Sequence, residues 1–390
     1  MLKKAILKQG KDTAIIRKHP WIFSGAIKSI EPCNSGDLIE VFNSTGNSLG
    51  IAYVSDGSIA LRMLSFVTCE INVSFWEDRI RQSLLIRQAC HLGWNTSTTA
   101  YRLIHGEGDG IPGLVVDVYD HNIVMQAHTD GIFNLLEDIA EALKNVFGKK
   151  VERIYSKSKA AMHDDTVEDG YLLGDPPTKP VIVKENDYQF FINWETGQKT
   201  GFFLDQRDNR NLLRQYAEGK TVLNTFSYSG GFSISALAGN AKRAISVDIS
   251  EKAIVLANEN ANLNGFENRH EGICADVLEY LKDESHEYDI VVLDPPAFAK
   301  SIKKKHSATM GYKRLNHLGI QRVKPGGLLF TFSCSQVIDP VLFENTVRAA
   351  AIESGRNARV LHRLNQGADH PVNLFHPEGH YLKGLVLVVD

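Results

Sequence analysis

From Thr196 to the C-terminus, short apolar runs alternate with helical stretches, and this rhythm limits the possible folds more than any other feature of the chain. The runs are "TVLNTF", "RAISVD", "GICADV", "YDIVVLD", "GGLLFTFS" and "YLKGLVLVVD". Helices are expected from Phe232, from Ser250, near Leu315 and once more before the last run. Alternating strands and helices predict a doubly wound parallel sheet.

The rest of the chain follows other rules. Residues 1–72 alternate short β-like runs with turn signals, as in "GDLIEVFN", "STGNSLG" and "IAYVSDGSIALRML", which predicts a small β-rich domain. Over Ser74 to His91, Phe75, Ile80, Leu84 and Leu85 recur at amphipathic helical spacing until "GWNTSTT" breaks the pattern. From Tyr101 to Trp194 the expected order is two strands ("GLVVDVYD", "NIVMQAHT"), a helix through "FNLLEDIAEALKNVF" and strands at "VERIYSK" and "YQFFINW". Strands with one covering helix make an α+β layer. The charged stretch "MHDDTVEDGYLLGDPPTKP" is expected to be a surface loop. The expected organisation is therefore multidomain α/β, with segments at 1–72, 73–194 and 195–390.

Composition narrows the setting. The 390 residues are 43% hydrophobic and carry a formal net charge of -3. That balance hides a basic start, in which Lys3, Lys4, Lys8, Lys11, Arg17, Lys18 and Lys28 face only Asp12. Such a patch suits a polyanion or simply a solvated terminus. The five cysteines (Cys33, Cys69, Cys90, Cys274, Cys334) form no CxxC pair, which argues for a reducing compartment and against a zinc site or a disulfide framework. No run approaches the roughly 18 apolar residues of a membrane span. The expected location is the cytoplasm, with neither membrane nor metal involved.

The first turn of the alternating region, "TVLNTFSYSGGFSISALA", joins a strand to a helix through small residues. Gly230 and Gly231 let backbone N–H groups approach a ligand at the helix start. They do not make GxGxxG, which disfavours a dinucleotide pyrophosphate. Asp248 ends the next strand, roughly twenty residues on, where an acid holds ribose hydroxyls. Asp276 follows the third. Either acid alone reads as a helix cap, but the pair after strands two and three fits S-adenosylmethionine better than NAD.

The fourth strand ends in Asp294-Pro295-Pro296, followed by Phe298. Ligands of open α/β sheets sit beyond the carboxyl ends of the strands, so Asp294 is expected to face the crevice. The prolines stiffen the turn, Phe298 offers a stacking face, and an acid with such a turn suits a planar base extruded from RNA. A second "DPP", Asp175 to Pro177, lacks a preceding buried strand and is assigned to a loop. Cys334 closes the fifth strand beside the one bearing Asp294. A free cysteine is usually inert filler, but at this position the thiol reaches the crevice. A thiolate there meets a specific need, because carbon 5 of cytosine attacks a methyl donor only after a nucleophile has added to carbon 6.

Read end to end, "RKHPWIFSGAI", "YRLIHGEGDGIPGLVVDVYD", "GQKTGFFLDQRDNR", "LNTFSYSGGF", "VDIS", "LDPPAF", "GYKRLN", "TFSCS" and "ADHPV...PEGHYLKG" resemble the bacterial large-subunit rRNA 5-methylcytosine methyltransferases with an N-terminal PUA domain. The resemblance implies a PUA-like RNA-binding domain, a central α+β domain and a C-terminal Rossmann-like methyltransferase acting on large-subunit rRNA. It makes Cys334 the nucleophile and Asp294 the base-contacting acid. It puts Asn224, Phe226, Tyr228, Ser229, Gly230, Gly231, Asp248 and Asp276 in the cofactor pocket. Asp205, Gln206 and Arg207 fall in a stretch that, by the same resemblance, closes over cofactor or base, and Pro295, Pro296 and Phe298 line the base site. Ala297 stands where many RNA 5-methylcytosine enzymes have a second cysteine, so another group or water must assist proton removal.

Three rivals stay open. Acid-Pro-Pro-aromatic turns also occur in enzymes that methylate the amino group of adenine or guanine. A nicotinamide oxidoreductase would share the sheet, and a non-catalytic RNA-binding protein would share everything but turnover. The lysines of "AKSIKKKH" (Ala299 to His306) suit phosphate or solvent equally. His19 is expected in a packed turn, and His370, His376 and His380 show no partners that would make a metal site.

Overall fold

The computed structural model describes residues 2–162, 164, 166–283, 285–299 and 301–390. Its chain divides into two units. One comprises Met1–Val183, Ile192–Phe202 and Ala368–Gly379, and the other Lys184–Phe191, Phe203–Gly367 and His380–Asp390. Apart from residues 184–191, the first two expected segments thus share a unit, which also gathers two short pieces from the third.

In the first unit, β1 (Lys3–Leu7), β2 (Trp21–Phe23), β3 (Ile27–Ile30), β4 (Leu38–Phe42), β5 (Ser48–Val54) and β6 (Ile59–Ser65) form a sheet in the order β2-β6-β5-β4-β1-β3, with helix α1 (Thr13–Ile16) between β1 and β2. Helix α2 (Val73–Ala89) starts at Asn72, whose side chain accepts the Phe75 N–H. A second sheet, in the order β11-β10-β9-β8-β7, contains β7 (Ala100–His105), β8 (Leu114–Tyr119), β9 (Asn122–Ala127), β10 (Arg153–Ser156) and β11 (Gly170–Leu173). Helices α3 (Asp130–Phe133), α4 (Leu136–Phe147) and α5 (Lys159–Met162) connect its strands. Tyr53 and Leu64 of the first sheet join Trp76, Ile80, Leu103, Val116, Ile139 and Leu143 in one buried cluster. That shared core explains why residues 1–72 and 73–162 are one compact body.

One expectation needs correcting. Within the stretch read as a loop, "GYLL" is strand β11, paired antiparallel with β10. It is a four-residue edge strand with no fully buried residue, set in a charged stretch, and too short to stand out as a strand. Asp175 to Pro177 do lie in the coil that follows, whereas His163 and Asp165 are outside the described residues.

The ribbon β12 (Val181–Glu185) and β13 (Tyr188–Ile192) leads towards the second unit. There α6 (Arg207–Tyr216) precedes β14 (Thr221–Thr225), α7 (Gly231–Ala238), β15 (Arg243–Asp248), α8 (Glu251–Leu263), β16 (His270–Cys274), α9 (Val277–Tyr280), β17 (Tyr288–Leu293), α10 (Lys305–Gln321), β18 (Val323–Ser333), α11 (Pro340–Ser354), β19 (Ala358–Asn365) and β20 (Lys383–Val389). The seven strands run β16-β15-β14-β17-β18-β20-β19, and β20 is antiparallel to both neighbours. β19 was not expected. Its burial pattern is mostly exposed, as befits an edge, so the apolar-run criterion passes over it.

Both faces of this sheet are covered. Val291 and Leu293 pack with residues of α10 and α11, while Ile290 and Val292 pack with residues of α6 and α7. Period-two alternation in an all-apolar strand sends neighbouring residues into opposite cores. The chain moves outward from β14 to β15 and β16, then returns to the other side of β14 for β17 and β18. That reversal opens a crevice beyond the carboxyl ends of β14 and β17.

Candidate active site

The crevice floor is the turn after β14. Phe226, Tyr228 and Gly230 all have positive φ (52, 44 and 79°), a rare run for non-glycine residues that the surroundings must enforce. Asp248 does so from the end of β15. Its Oδ2 accepts the Tyr228 N–H at 3.0 Å and its Oδ1 accepts the Ser250 N–H at 2.9 Å. From α8, Asn260 donates to the Ser229 carbonyl at 2.9 Å and accepts the Phe191 N–H at 2.9 Å. At Gly230 an added Cβ would stand 3.0 Å from the Ala257 Cβ, and at Gly231 one would stand 3.0 Å from the Arg210 Cδ. A Cβ at either place would force its neighbour to give by a few tenths of an ångström, and at Gly230 the positive φ adds strain.

Below this turn runs a buried polar chain. Asn224 Nδ2 donates to Ser233 Oγ at 3.1 Å, Ser233 and Ser246 share a hydrogen bond at 2.7 Å, and Ser246 meets His270 Nε2 at 2.8 Å. Asn224 is 1% exposed, so its side chain braces β14 against α7 and β15. Burial drives His270 down to about 4. Asp276 is the N-cap of α9, accepting the Glu279 N–H at 3.0 Å, and the residue is exposed. The capping role weighed for it from sequence is therefore real.

Asp294, half-buried, follows β17 directly. Gln206 Nε2 donates to its Oδ1 at 3.0 Å, and Gln206 Oε1 accepts from Asn209 Nδ2 at 2.6 Å. Asn209 in turn donates to the Asn365 carbonyl at 3.1 Å. A neutral amide held from behind fixes the rotamer of the carboxylate without neutralising it. Asp205 accepts from the Tyr381 hydroxyl at 2.6 Å, and Arg207 is buried beside Asp208. The stretch is locked down further by Arg210, whose guanidinium forms a bidentate pair with Glu185 at 2.7 and 2.6 Å and donates to the Phe203 carbonyl. Pro295 is buried and Pro296 exposed. Phe298 lies against Tyr312, ring centroids 4.6 Å apart, so α10 takes one side of its ring and the residue stays partly exposed.

Cys334 is the first residue past β18 and is half-buried. Leu293 pairs with Thr331 across the two parallel strands, which brings Asp294 and Cys334 to neighbouring strand ends. Ser335 is pinned from both sides, by a 3.0 Å bond between its hydroxyl and that of Tyr312, and by Lys383 Nζ, which donates to its carbonyl at 2.7 Å. Asn260, Glu185, Arg210, Tyr381 and Lys383 escaped sequence reasoning. The last two sit in "GHYLKG", noticed only as part of a longer pattern.

In the other unit, His19, His376 and Glu378 bring one ligand-type atom each within 4.8 Å of one another. His19 Nδ1 accepts the Trp21 N–H at 3.2 Å, and its Nε2 stands 3.6 Å from Glu378 Oε1. His376, for which no partners were expected, thus has two side chains of metal-ligating type beside it. Of the basic start, Lys3 pairs with Asp37, and Lys4 and Lys18 lie over the rings of Phe42 and Phe66. Lys300 lies outside the described residues, and Lys305 opens α10. Among the described residues, no helix is long and apolar enough to cross a membrane.

Comparison with known proteins agrees with this geometry. Residues 157–372 match the family described as S-adenosylmethionine-dependent methyltransferase, and residues 5–66 match a PUA-like domain. A protein of Vibrio cholerae named ribosomal RNA large subunit methyltransferase I is 39% identical, with 98% of each chain covered. Its namesake from Aeromonas salmonicida is 38% identical, again over 98% of each. A putative SAM-dependent methyltransferase from Streptococcus mutans superposes over the full length of both chains with a TM-score of 0.85 at 23% identity. A putative methyltransferase complexed with SAH gives 0.86 at the same identity, also over both full lengths. The glycine turn, the acid at the end of β15 and the switch-point crevice fit S-adenosylmethionine as cofactor. The chain belongs to the S-adenosylmethionine-dependent methyltransferases, in the ribosomal RNA large subunit methyltransferase I family.

Proposed function

We propose that this enzyme methylates carbon 5 of a cytosine in large-subunit rRNA through a covalent adduct with Cys334. The observation that carries the reading is the placement of Cys334 and Asp294 at the carboxyl ends of adjacent parallel strands, on the crevice that also holds the cofactor turn. The names of the relatives support rRNA as the substrate class, and the PUA-like domain supports RNA contact.

S-adenosylmethionine supplies an electrophilic methyl group. Gly230, Gly231 and the backbone of Phe226, Tyr228 and Ser229 would cradle it, with Asp248 on its ribose; Asn224 acts from beneath the turn, and Asp276 sits at the rim. The residues of the chain must then make carbon 5 of the base nucleophilic. The Cys334 thiolate adds to carbon 6, the 5,6 double bond becomes an enamine, and Asp294 holds the N3/N4 edge so that the adduct is protonated at N3. Once carbon 5 carries the methyl group, its proton leaves to a base or water, the double bond re-forms and the thiolate departs. Asp205, Gln206 and Arg207 form the wall behind Asp294, and Pro295, Pro296 and Phe298 shape the base site. Ala297 offers no group for the proton.

The test is methyl transfer from labelled S-adenosylmethionine to large-subunit rRNA lacking native modifications, with wild type and Cys334→Ala side by side and the product nucleoside identified. Labelled 5-methylcytosine from wild type alone is expected. A methylated amino group formed equally by both proteins would overturn the reading in favour of an adenine or guanine N-methyltransferase. Tight rRNA binding without any transfer would favour a non-catalytic binder.

A further inference from the structure

Attack by Cys334 needs a thiolate, and an ordinary cysteine with a pKa near 8.5 is mostly protonated at neutral pH. We propose that Lys383 is the positioning residue that holds Cys334 in its thiolate form, presenting a buried ammonium at the strand end from which the sulfur projects. The inference rests on the proposed nucleophilic role of Cys334.

Register places the lysine there. β20 runs antiparallel to β18 with Lys383 opposite Ser333, one residue before Cys334. The side chain is 5% exposed, and its Nζ donates to the carbonyls of Ser335 at 2.7 Å and Tyr381 at 2.8 Å. The ammonium is thus tethered to the residue that follows the cysteine. A buried ammonium held only by neutral carbonyls is poorly compensated and calls for an anion. Two groups attract it when they are ionised, Cys334 first and Asp339, the N-cap of α11, second. Burial takes Lys383 down to about 8, and both groups work against that fall. The same attraction, read from the sulfur, favours thiolate over thiol, because a coupling between two titrating groups is reciprocal. The other titratable groups acting around this strand end are Tyr312 on α10, whose phenol is pushed up by burial and so stays neutral, and His380, which burial first and the Lys383 charge second push down, while Asp294 follows the adjacent β17. Lys383 thus brings a positive charge to the residue that follows the sulfur, and it arrives from a strand 49 positions later in the sequence.

A structural lysine that merely ties Ser335 to Tyr381 would leave the acidity of the thiol unchanged, so acidity is the readout. Full-length protein is treated with iodoacetamide across pH 5 to 10, and alkylation of the Cys334 peptide is followed by mass spectrometry, with the exposed Cys274 in the same molecule as reference. In wild type the Cys334 midpoint is expected at least one pH unit below that of Cys274. In Lys383→Met, which keeps the length and burial of the side chain without its charge, it should rise by about one unit or more; Lys383→Arg should restore most of the shift. A wild-type Cys334 midpoint at or above that of Cys274 overturns the proposal even where Lys383→Met fails to fold, as does an unchanged midpoint in folded Lys383→Met. A rise of equal size in Lys383→Arg overturns it too, since displacement alone would then account for the effect. Alkylation requires no RNA, so failure here is distinct from failure of the cytosine reading, which the Cys334→Ala product assay decides.

Discussion

Gly230→Ala tests whether the cofactor turn is held by contact as well as by conformation, and Gly265→Ala is its internal control. Both glycines have positive φ, 79 and 71°. At Gly265 an added Cβ meets nothing within 4 Å, whereas at Gly230 it meets the Ala257 Cβ at 3.0 Å and Cα at 3.3 Å. The left-handed conformation costs alanine about 1–2 kcal/mol at either site. Overpacking adds about 1–3 kcal/mol, at Gly230 only. The turn cannot simply back away, because Asn260, one turn along the same helix, is bonded to Ser229 and Phe191. In calorimetry, the transition that S-adenosylhomocysteine raises should fall further in Gly230→Ala than in Gly265→Ala. With ~2–4 °C per kcal/mol for a domain of 150–250 residues, the gap should be roughly 2–12 °C. Titration calorimetry should show weaker S-adenosylhomocysteine binding in Gly230→Ala alone. If the two variants melt together and both bind with wild-type affinity, the contact with α8 carries nothing and the reasoning fails.

Other expectations follow from the same geometry. Gln206→Leu removes a hydrogen bond to an ionised acceptor, worth about 1.5–3 kcal/mol, so kcat/KM for methyl transfer should drop roughly 10- to 150-fold; an unchanged value would remove Gln206 from the support of Asp294. Arg210→Met strands the buried Glu185 carboxylate and should cost about 3–5 kcal/mol in denaturant unfolding, much of it recovered by Arg210→Met with Glu185→Leu. His270 titrates near 4 in the fold and near 6.5 unfolded, so the unfolded chain binds more protons between those values and stability falls as pH is lowered from 6.5 to 4. The loss approaches about 3 kcal/mol before solvent screening, and His270→Gln should flatten it; an equally steep acid limb in that variant would assign the loss to other groups.

Where the sequence was legible, a local physical rule was at work. Strands buried on both faces read as apolar runs, so β14, β15, β17, β18 and β20 stand out, and their order makes the strand-end residues Asp248, Asp294 and Cys334 candidates before any coordinates exist. Edge strands bury little, so β19 is mostly polar and exposed, and β11 is too short to stand out. Sequence also offered two readings of Asp276 and one of Asn224. Capping is a local bond that the letters permit but do not compel, while the inward turn of Asn224 depends on serines from α7 and β15.

Residue types and their order along the chain determined the alternation of elements, the glycine turn and the presence of a thiol and an acid at strand ends. Tertiary structure alone decided which groups stand behind them. Gln206 meets Asp294 across 88 positions, Asn260 reaches Ser229 across 31, and Lys383 reaches Ser335 across 48. Bonds of that span follow from sheet order and register, which depend on how two faces of a sheet are buried at once, and no window of neighbouring residues contains that information.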